Sequence, residues 1–260
     1  MKLKAAIAQT HIQMGSIEKN LITTSVMIQA AAIQKANWIV FPELWLHGYD
    51  LKNFSALAQE TSRAIEEIST LAQSNQITVW GTVLLQDRDQ LYNSLVMITP
   101  DGGIKFPYRK THLFRPLGED RWLKAGNDLA PIVNWQTIPV GPAICYDLRF
   151  PELFRAQMLA GSLCTILPAE WSRPRVEHWQ TLLRARAIEN QTYFIGVNAV
   201  NQTGKENLSG SSAIISPKGE ILTQAPMDNA ALLFAELDFD ALQTWRQNFP
   251  VLQDRRTDLY

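Results

Sequence analysis

The chain has 260 residues, with 24 lysines and arginines against 25 acidic residues and a formal net charge of −1 at pH 7. This balance supplies no long-range field that would recruit nucleic acid or an anionic membrane surface, and we expect neither as a partner. Hydrophobic residues make up 46% of the chain and charged residues 19%, which is typical of a globular protein with a substantial core.

The cysteines and histidines bear on three further questions: disulfide bonds, cellular location and metal binding. Cys145 and Cys164 are the two cysteines, too few for a disulfide framework. The N-terminal residues are interrupted by lysine and glutamine and do not resemble a signal peptide, and no stretch has the apolar length of a membrane span. We therefore expect a reducing, cytoplasmic location. The four histidines lack paired metal-ligand spacing, and Cys-x-x-Cys is absent, so we expect no metal and no cofactor.

Strands and helices alternate in the first half of the chain. The four apolar residues at 38–41 are typical of a strand buried on both faces, and the polar residues 87–90 indicate a hairpin that would make the sheet mixed. In chain order we predict a strand at 3–9, a helix from about 16 to 37, a strand at 38–41, a helix at 61–74, and strands at 77–85, 91–99 and 104–110.

The second half repeats this rhythm after a long irregular segment at 111–134, a kind of segment that tends to be functional in compact domains. We predict a strand at 136–145 despite two prolines that lack a ladder donor, a helix at 153–159, a strand at 162–168, a helix ending near 190, strands at 193–200, 211–216, 220–224 and 231–237, a helix at 239–248 and an extended tail at 249–260. We expect one α/β domain over residues 1–260, with two sheets and helices outside.

Three predicted strands end in chemically useful side chains: Glu43, Lys110 and Cys145. If these strands are neighbours in one sheet, the three side chains converge at one edge. Cys145 would lie at a strand-to-helix corner, which exposes a nucleophile near backbone N–H groups. A single cysteine is more often a small core residue, so the functional interpretation depends on the whole set.

The local sequences resemble the nitrilase, or carbon–nitrogen hydrolase, superfamily, whose catalytic triad is glutamate, lysine and cysteine. The matching segments are 15–20, 41–43 (FPE), 108–113 (YRKTHL), 145–152 (CYDLRFPE), 184–191 (RARAIENQ) and 216–220 (SPKGE). The resemblance covers essentially the whole chain. It implies an α-β-β-α sandwich of two mixed sheets with outer helices, and a homodimer formed by the helix after Leu153, the helix around Trp179 and the tail at 249–260.

The resemblance also implies roles for the triad. Cys145 would attack an amide and form a thioester, Glu43 would act as the base, and Lys110 with the backbone N–H of Tyr146 would stabilise the oxyanion. A model carboxylate is about four pKa units more acidic than a thiol, so an unassisted proton transfer would cost about 5.7 kcal/mol. The ammonium of Lys110 would favour the thiolate of Cys145 and so reduce this cost.

Supporting residues follow the same motifs. Glu119 matches the second glutamate of the family, with Asp120 as a rival, although a loop carboxylate is more often solvated. Trp171, Arg173 and Arg175 are candidates for binding substrate, and either arginine could hold a substrate carboxylate in a bidentate pair.

The remaining conspicuous residues have structural explanations. We predict that Arg149 forms a structural ion pair, that His47 and His112 support or pack against the site, and that Cys164 is a core thiol.

Within the superfamily, residues 171–191 and 249–260 look most like the omega-amidase branch. The chain would then release ammonia from 2-oxo acid amides such as 2-oxoglutaramate or 2-oxosuccinamate. A nitrilase or an N-carbamoyl amide hydrolase would use the same triad, and a catalytically silent binding or scaffolding relative is the alternative outside enzymology.

Overall fold

The computed structural model describes residues 1–129, 131–201 and 207–259. The helices are α1 (Ile17–Ile33), α2 (Phe54–Asn75), α3 (Pro151–Leu159), α4 (Val176–Asn190) and α5 (Phe239–Asn248). The strands are β1 (Lys2–Gln9), β2 (Trp38–Val40), β3 (Thr78–Asp87), β4 (Gln90–Ile98), β5 (Ile104–Arg109), β6 (Val133–Trp135), β7 (Ile138–Pro142), β8 (Cys164–Ala169), β9 (Tyr193–Asn198), β10 (Val200–Asn201), β11 (Leu208–Ser209), β12 (Ala213–Ile215), β13 (Ile221–Gln224) and β14 (Ala231–Asp238).

Twelve of these strands form two six-stranded sheets, in the orders β14-β1-β2-β3-β4-β5 and β13-β12-β9-β8-β7-β6, and β10 pairs with β11. Three adjacent strands are parallel in each sheet, β1-β2-β3 in the first and β7-β8-β9 in the second. Antiparallel strands flank these parallel strands on both sides. The predicted two sheets are therefore confirmed, and β14 from the second half of the chain is the edge strand of the first sheet.

Side chains alternate between the two faces of each strand, and this alternation produces two separate hydrophobic cores. In β1, Ala5 and Ile7 pack among residues of both sheets, whereas Ala6 and Ala8 pack with residues of α1 and α2 because successive side chains point to opposite faces. Trp135 of the second sheet lies edge-on to Trp38 of the first, with ring centroids 5.2 Å apart. The predicted α-β-β-α sandwich is confirmed, with α1 and α2 on one outer face and α3 and α4 on the other.

Several boundaries differ from the sequence-based expectation. Helix α2 begins at Phe54 rather than residue 61, and β7 covers Ile138–Pro142 only, so that Cys145 lies beyond the strand in a 3-10 turn, Cys145–Arg149. The short hairpin of β10 and β11 was not predicted. Residues 249–259 form a series of turns, and the last residue of the predicted tail, Tyr260, lies outside the described residues. None of the described helices is both long and apolar enough to cross a membrane.

Candidate active site

Glu43 lies in the loop after β2, and its carboxylate is held from both sheets. Oε1 accepts a hydrogen bond from Nδ2 of Asn93 at 2.8 Å, and Oε2 accepts one from the backbone N–H of Glu170 at 2.9 Å. The side chain is fully buried. A buried carboxylate with several donors has a fixed orientation, which a proton acceptor needs.

Lys110 follows β5 and lies between two carboxylates. Its Nζ is 2.8 Å from Oε1 of Glu43 and 2.7 Å from Oε1 of Glu119, and all three side chains are buried. Burial alone would lower the pKa of Lys110, but the two carboxylates outweigh it and raise the pKa well above its usual value. Lys110 therefore remains an ammonium that can donate hydrogen bonds. Asp120, the rival of Glu119, is exposed.

Tyr49 joins the two carboxylates from the other side. Its hydroxyl oxygen lies 2.6 Å from Oε1 of Glu43 and 2.5 Å from Oε1 of Glu119, and 3.2 Å from Nζ of Lys110. Burial raises the pKa of Tyr49 well above its usual value, and both glutamates add to the rise. The phenol therefore keeps its one proton, which serves one carboxylate at a time.

Cys145 begins the 3-10 turn beyond β7 with φ +46°. A residue with a side chain rarely adopts this left-handed conformation, and it costs about 1 to 3 kcal/mol where the surroundings impose it. Burial raises the pKa of the Cys145 thiol well above its usual value, and the nearby Glu43 adds to the rise despite an opposing effect of Lys110. Lys110 lowers the pKa of the thiol, as expected, but burial is the larger cause and the net pKa is raised. The Cys145 thiol therefore needs a base that accepts its proton before the sulfur can attack.

Asp147 anchors the turn that carries Cys145. Its carboxylate accepts hydrogen bonds from the hydroxyl of Tyr108 at 2.7 Å, from the backbone N–H of Ile144 at 2.9 Å, and from both the backbone N–H and the Nδ1 of His112 at 3.0 and 2.7 Å. These bonds tie the segment after β5 to the segment after β7. His112 thus supports the turn, and its ring also stacks on Phe150 at 3.7 Å.

The three triad side chains come from two sheets. Glu43 and Lys110 follow β2 and β5 of the first sheet, whereas Cys145 follows β7 of the second. The expectation of one shared sheet edge is therefore wrong, since the segments meet where the two stacked sheets end on the same side. The structure nevertheless brings Glu43, Lys110, Glu119 and Cys145 into one group.

A cavity of about 210 Å³ opens on this group, and its wall includes Cys145, Tyr146, Glu119, Trp171 and Arg175. The volume lies below the 300 to 1,000 Å³ range of sites for drug-sized ligands, so it suits a small metabolite.

Arg173 is not among the described residues that line the cavity. Its guanidinium pairs with Asp228, and both side chains are exposed. The guanidinium of Arg175, in contrast, lies 5.4 Å from the ring centroid of Phe114 beside the cavity.

Structural roles were also predicted for Arg149, His47 and Cys164, and the structure does not agree with all of them. Arg149 lies 4.8 Å over the ring of Trp171 and lines the cavity, a cation–π contact in place of the predicted ion pair. His47 is buried and bonded to Thr61 at 2.9 Å, and burial lowers its pKa to about 3. Cys164 is buried in the core of the second sheet, as predicted.

The family model for carbon-nitrogen hydrolases matches residues 4–247. The chain belongs to the carbon–nitrogen hydrolase family. The chain is 32% identical over its full length to the 2-oxoglutaramate amidase of Bacillus subtilis, whose full length is also covered. It is 37% identical to omega-amidase YafV of Escherichia coli, with 87% of each chain covered. A solved carbon–nitrogen hydrolase from Helicobacter pylori superposes with a TM-score of 0.93 at 26% identity, covering 100% of this chain and 97% of that one.

Three residues around the triad of this carbon–nitrogen hydrolase were not predicted from the sequence. Tyr49 follows Glu43 by six positions in a loop, where no periodicity assigns a direction to a side chain. Asn93 interrupts an apolar strand, and a buried polar residue in such a strand is a usable signal of a hydrogen-bonded site. Glu170 directly follows β8, and Glu43 lies three residues after the end of β2, so the same strand-end argument applies to Glu170.

Proposed function

We propose that this carbon–nitrogen hydrolase deamidates 2-oxo acid amides such as 2-oxoglutaramate, giving the 2-oxo dicarboxylate and ammonia. The observation that carries the proposal is the buried group of Glu43, Lys110 and Glu119, which lies beside Cys145 at a small cavity also lined by Arg175. The activities after which the Bacillus and Escherichia relatives are named support the same substrate class.

The first half-reaction forms a thioester. Glu43 takes the proton of the Cys145 thiol, and the sulfur attacks the amide carbon. The resulting oxyanion accepts hydrogen bonds from Lys110 and from the backbone N–H of Tyr146, and removing one such donor typically costs about a hundredfold or more in rate. The carbon–nitrogen bond breaks as Glu43 returns the proton to the leaving nitrogen, which departs as ammonia.

The second half-reaction restores the enzyme. A water molecule takes the place of ammonia beside Glu43, which removes its proton while the oxygen attacks the thioester carbon. The carbon–sulfur bond breaks, and the proton on Glu43 returns to the Cys145 sulfur. Glu119 supports both steps by holding Lys110 in place, at 2.7 Å from Oε1 to Nζ.

The far end of the substrate carries a carboxylate, for which Arg175 and Trp171 are the proposed contacts. Both line the cavity, and Nε1 of Trp171 donates to the backbone carbonyl of Arg175 at 2.7 Å. Arginine suits a carboxylate because its planar guanidinium offers paired donors. Arg173 is the weaker candidate because it is not among the described residues that line the cavity.

Ammonia release from a substrate panel tests the proposal. The panel contains 2-oxo acid amides, simple amides, nitriles and N-carbamoyl amino acids, and the variant Cys145→Ala serves as the blank. We expect the highest kcat/KM for the 2-oxo acid amides. A higher kcat/KM for nitriles or N-carbamoyl compounds would assign the chain to another activity, and ammonia release by Cys145→Ala equal to wild type would contradict the mechanism.

We propose further that two copies form a homodimer through α3, α4 and the C-terminal turns. Leu159, Ile188 and Phe249 of these segments are 53%, 48% and 55% exposed, so each of the three segments offers a large apolar side chain to a contact with a second copy. Sedimentation velocity at micromolar concentration should give a dimer that Ile188→Glu dissociates, whereas Ile33→Glu on α1 should not. A wild-type monomer would contradict the proposal.

We also propose a cytoplasmic location, because Cys145 and Cys164 are both free thiols and a reducing compartment preserves a nucleophilic cysteine. Fractionation of cells that produce the full chain tests this proposal. Recovery of the protein outside the cytoplasmic fraction would contradict it.

A further inference from the structure

Glu170 is a carboxyl group in the cavity wall that the proposed reaction does not use. It is the first residue after β8, and its backbone N–H donates to Oε2 of Glu43 at 2.9 Å. This bond fixes the position of the Glu170 backbone. The Glu170 side chain lines the cavity together with Cys145 and Trp171. The Glu170 side chain therefore borders the space that the substrate must occupy.

The surroundings of Glu170 disfavour its ionised form. Oε1 is buried and has no hydrogen-bond partner within residues 1–129, 131–201 and 207–259. A carboxylate needs donors at both oxygens, and a buried one without them tends to take up a proton. Burial raises the pKa of Glu170 well above its usual value, and the nearby Glu43 adds to the rise. The buried, unpartnered Oε1 and the raised pKa both favour the neutral carboxylic acid at this position.

A neutral acid has one carbonyl oxygen and one hydroxyl. A buried carbonyl oxygen tolerates the absence of a partner better than a buried donor does. The buried Oε1 is thus best assigned as the carbonyl oxygen, which leaves the O–H on Oε2. Since the exposed part of the side chain faces the cavity, this hydroxyl is available to an oxygen of the substrate.

We infer that Glu170 is a specificity-determining residue that donates a hydrogen bond from its neutral carboxyl group to the 2-oxo oxygen of the substrate. The inference rests on the proposed function. The amide oxygen already has Lys110 and the backbone N–H of Tyr146 as donors, and Arg175 serves the carboxylate, so the 2-oxo oxygen is the acceptor left without one. A neutral acid, unlike a carboxylate, also avoids repulsion with the acidic substrate.

The test compares a 2-oxo acid amide with its deoxo analogue, in which a methylene group replaces the 2-oxo carbonyl. The variants are Glu170→Leu, which removes the donor, and Glu170→Gln, which keeps a neutral donor of similar shape. Glu66→Leu on the exposed face of α2 is the control for a lost carboxylate. Ammonia release gives kcat/KM, and urea unfolding checks that each variant is folded.

We expect Glu170→Leu to lower kcat/KM for the 2-oxo acid amide about tenfold to a hundredfold and to change the value for the deoxo analogue less than about twofold. Glu170→Gln should stay within about fivefold of wild type on both substrates. Equal losses on both substrates, or a Gln variant as impaired as the Leu variant, would overturn the role of Glu170 and leave the proposed function intact. Wild-type enzyme that is inactive on 2-oxo acid amides but active on other amides would overturn the proposed function, and this inference with it.

Discussion

The backbone N–H of Glu170 donates to Oε2 of Glu43 at 2.9 Å, and this bond joins the loop after β8 of one sheet to the loop after β2 of the other. The backbone N–H of Glu43 in turn faces the carbonyl oxygen of Ala169 at 3.4 Å. The proposed base is therefore held by the junction of the two sheets. Its position depends on the stacking of the complete sandwich.

Replacing Glu43 with glutamine should abolish most of the activity and leave the fold intact. Glutamine has the same shape and its amide oxygen can still accept from Asn93 or from Glu170, but it cannot take the proton of a thiol whose pKa is raised. We expect kcat to fall about 10² to 10⁴-fold, measured by ammonia release. Activity above about a tenth of wild type would show that another group deprotonates Cys145.

Lys110→Met should destabilise the protein strongly. The substitution leaves Glu43 and Glu119 buried without the cation that lies 2.8 and 2.7 Å from them. Removing one member of a buried ion pair costs about 3 to 5 kcal/mol, which urea unfolding would measure as a lower free energy of unfolding. The matched control is Lys105→Met, an exposed position on β5, the strand that Lys110 follows, which should change stability by less than about 0.5 kcal/mol. Similar losses of unfolding free energy in both variants would contradict a stabilising ion pair of Lys110 with Glu43 and Glu119.

Tyr49→Phe should lower kcat more than it raises KM. The ring still fills its place, but Glu43 and Glu119 lose the hydroxyl that lies 2.6 and 2.5 Å from them. A hydrogen bond to a charged group is worth about 1.5 to 3 kcal/mol, so we expect about a tenfold to hundredfold fall in kcat. Tyr92→Phe, which keeps the ring contact with Arg109, should behave as wild type. An unchanged kcat in Tyr49→Phe would show that the Tyr49 hydroxyl does not contribute to catalysis.

Stability at acidic pH should depend on His47. Burial lowers the pKa of His47 from 6.5 to about 3, so the unfolded chain binds a proton that the folded chain does not between these values. Folding is therefore progressively destabilised as the pH falls from about 6.5 to about 3, by up to about 1.4 kcal/mol per pH unit from this residue. The stability of His47→Gln should fall less steeply over this range, whereas that of the exposed control His11→Gln should follow wild type. Parallel curves for all three proteins would contradict burial of a neutral His47.

The elements that carry the triad could be predicted because each ends a strand with a local signal. The apolar run at 38–41 and the residues after it indicated both β2 and the position of Glu43. Likewise, the strand-to-turn change near Ile144 indicated the corner that carries Cys145, although Cys145 is buried there rather than exposed. The start of α2 was missed although Phe54, Leu57, Ala58 and Thr61 have helical spacing, because the loop signals just before them extended the predicted loop too far.

Other features depend on how distant segments pack. No local pattern shows that the segments after β5 and β7 come from different sheets, or that Asp147 joins them. The pKa of Cys145 is raised because burial outweighs a single nearby ammonium, and burial is a property of the whole fold. The exposure of Arg173 and the placement of Arg175 at the cavity likewise follow from the path of one loop.

The formation of an acyl thioester on Cys145 is the central claim, and mass spectrometry of the acid-quenched enzyme tests it most directly. Wild-type enzyme mixed with a 2-oxo acid amide and quenched within milliseconds should carry the mass of the acyl group on the peptide that contains Cys145. Hydroxylamine added during turnover should yield the matching hydroxamate. Ammonia release at the full rate with Cys145 unmodified and no hydroxamate formed would contradict the account.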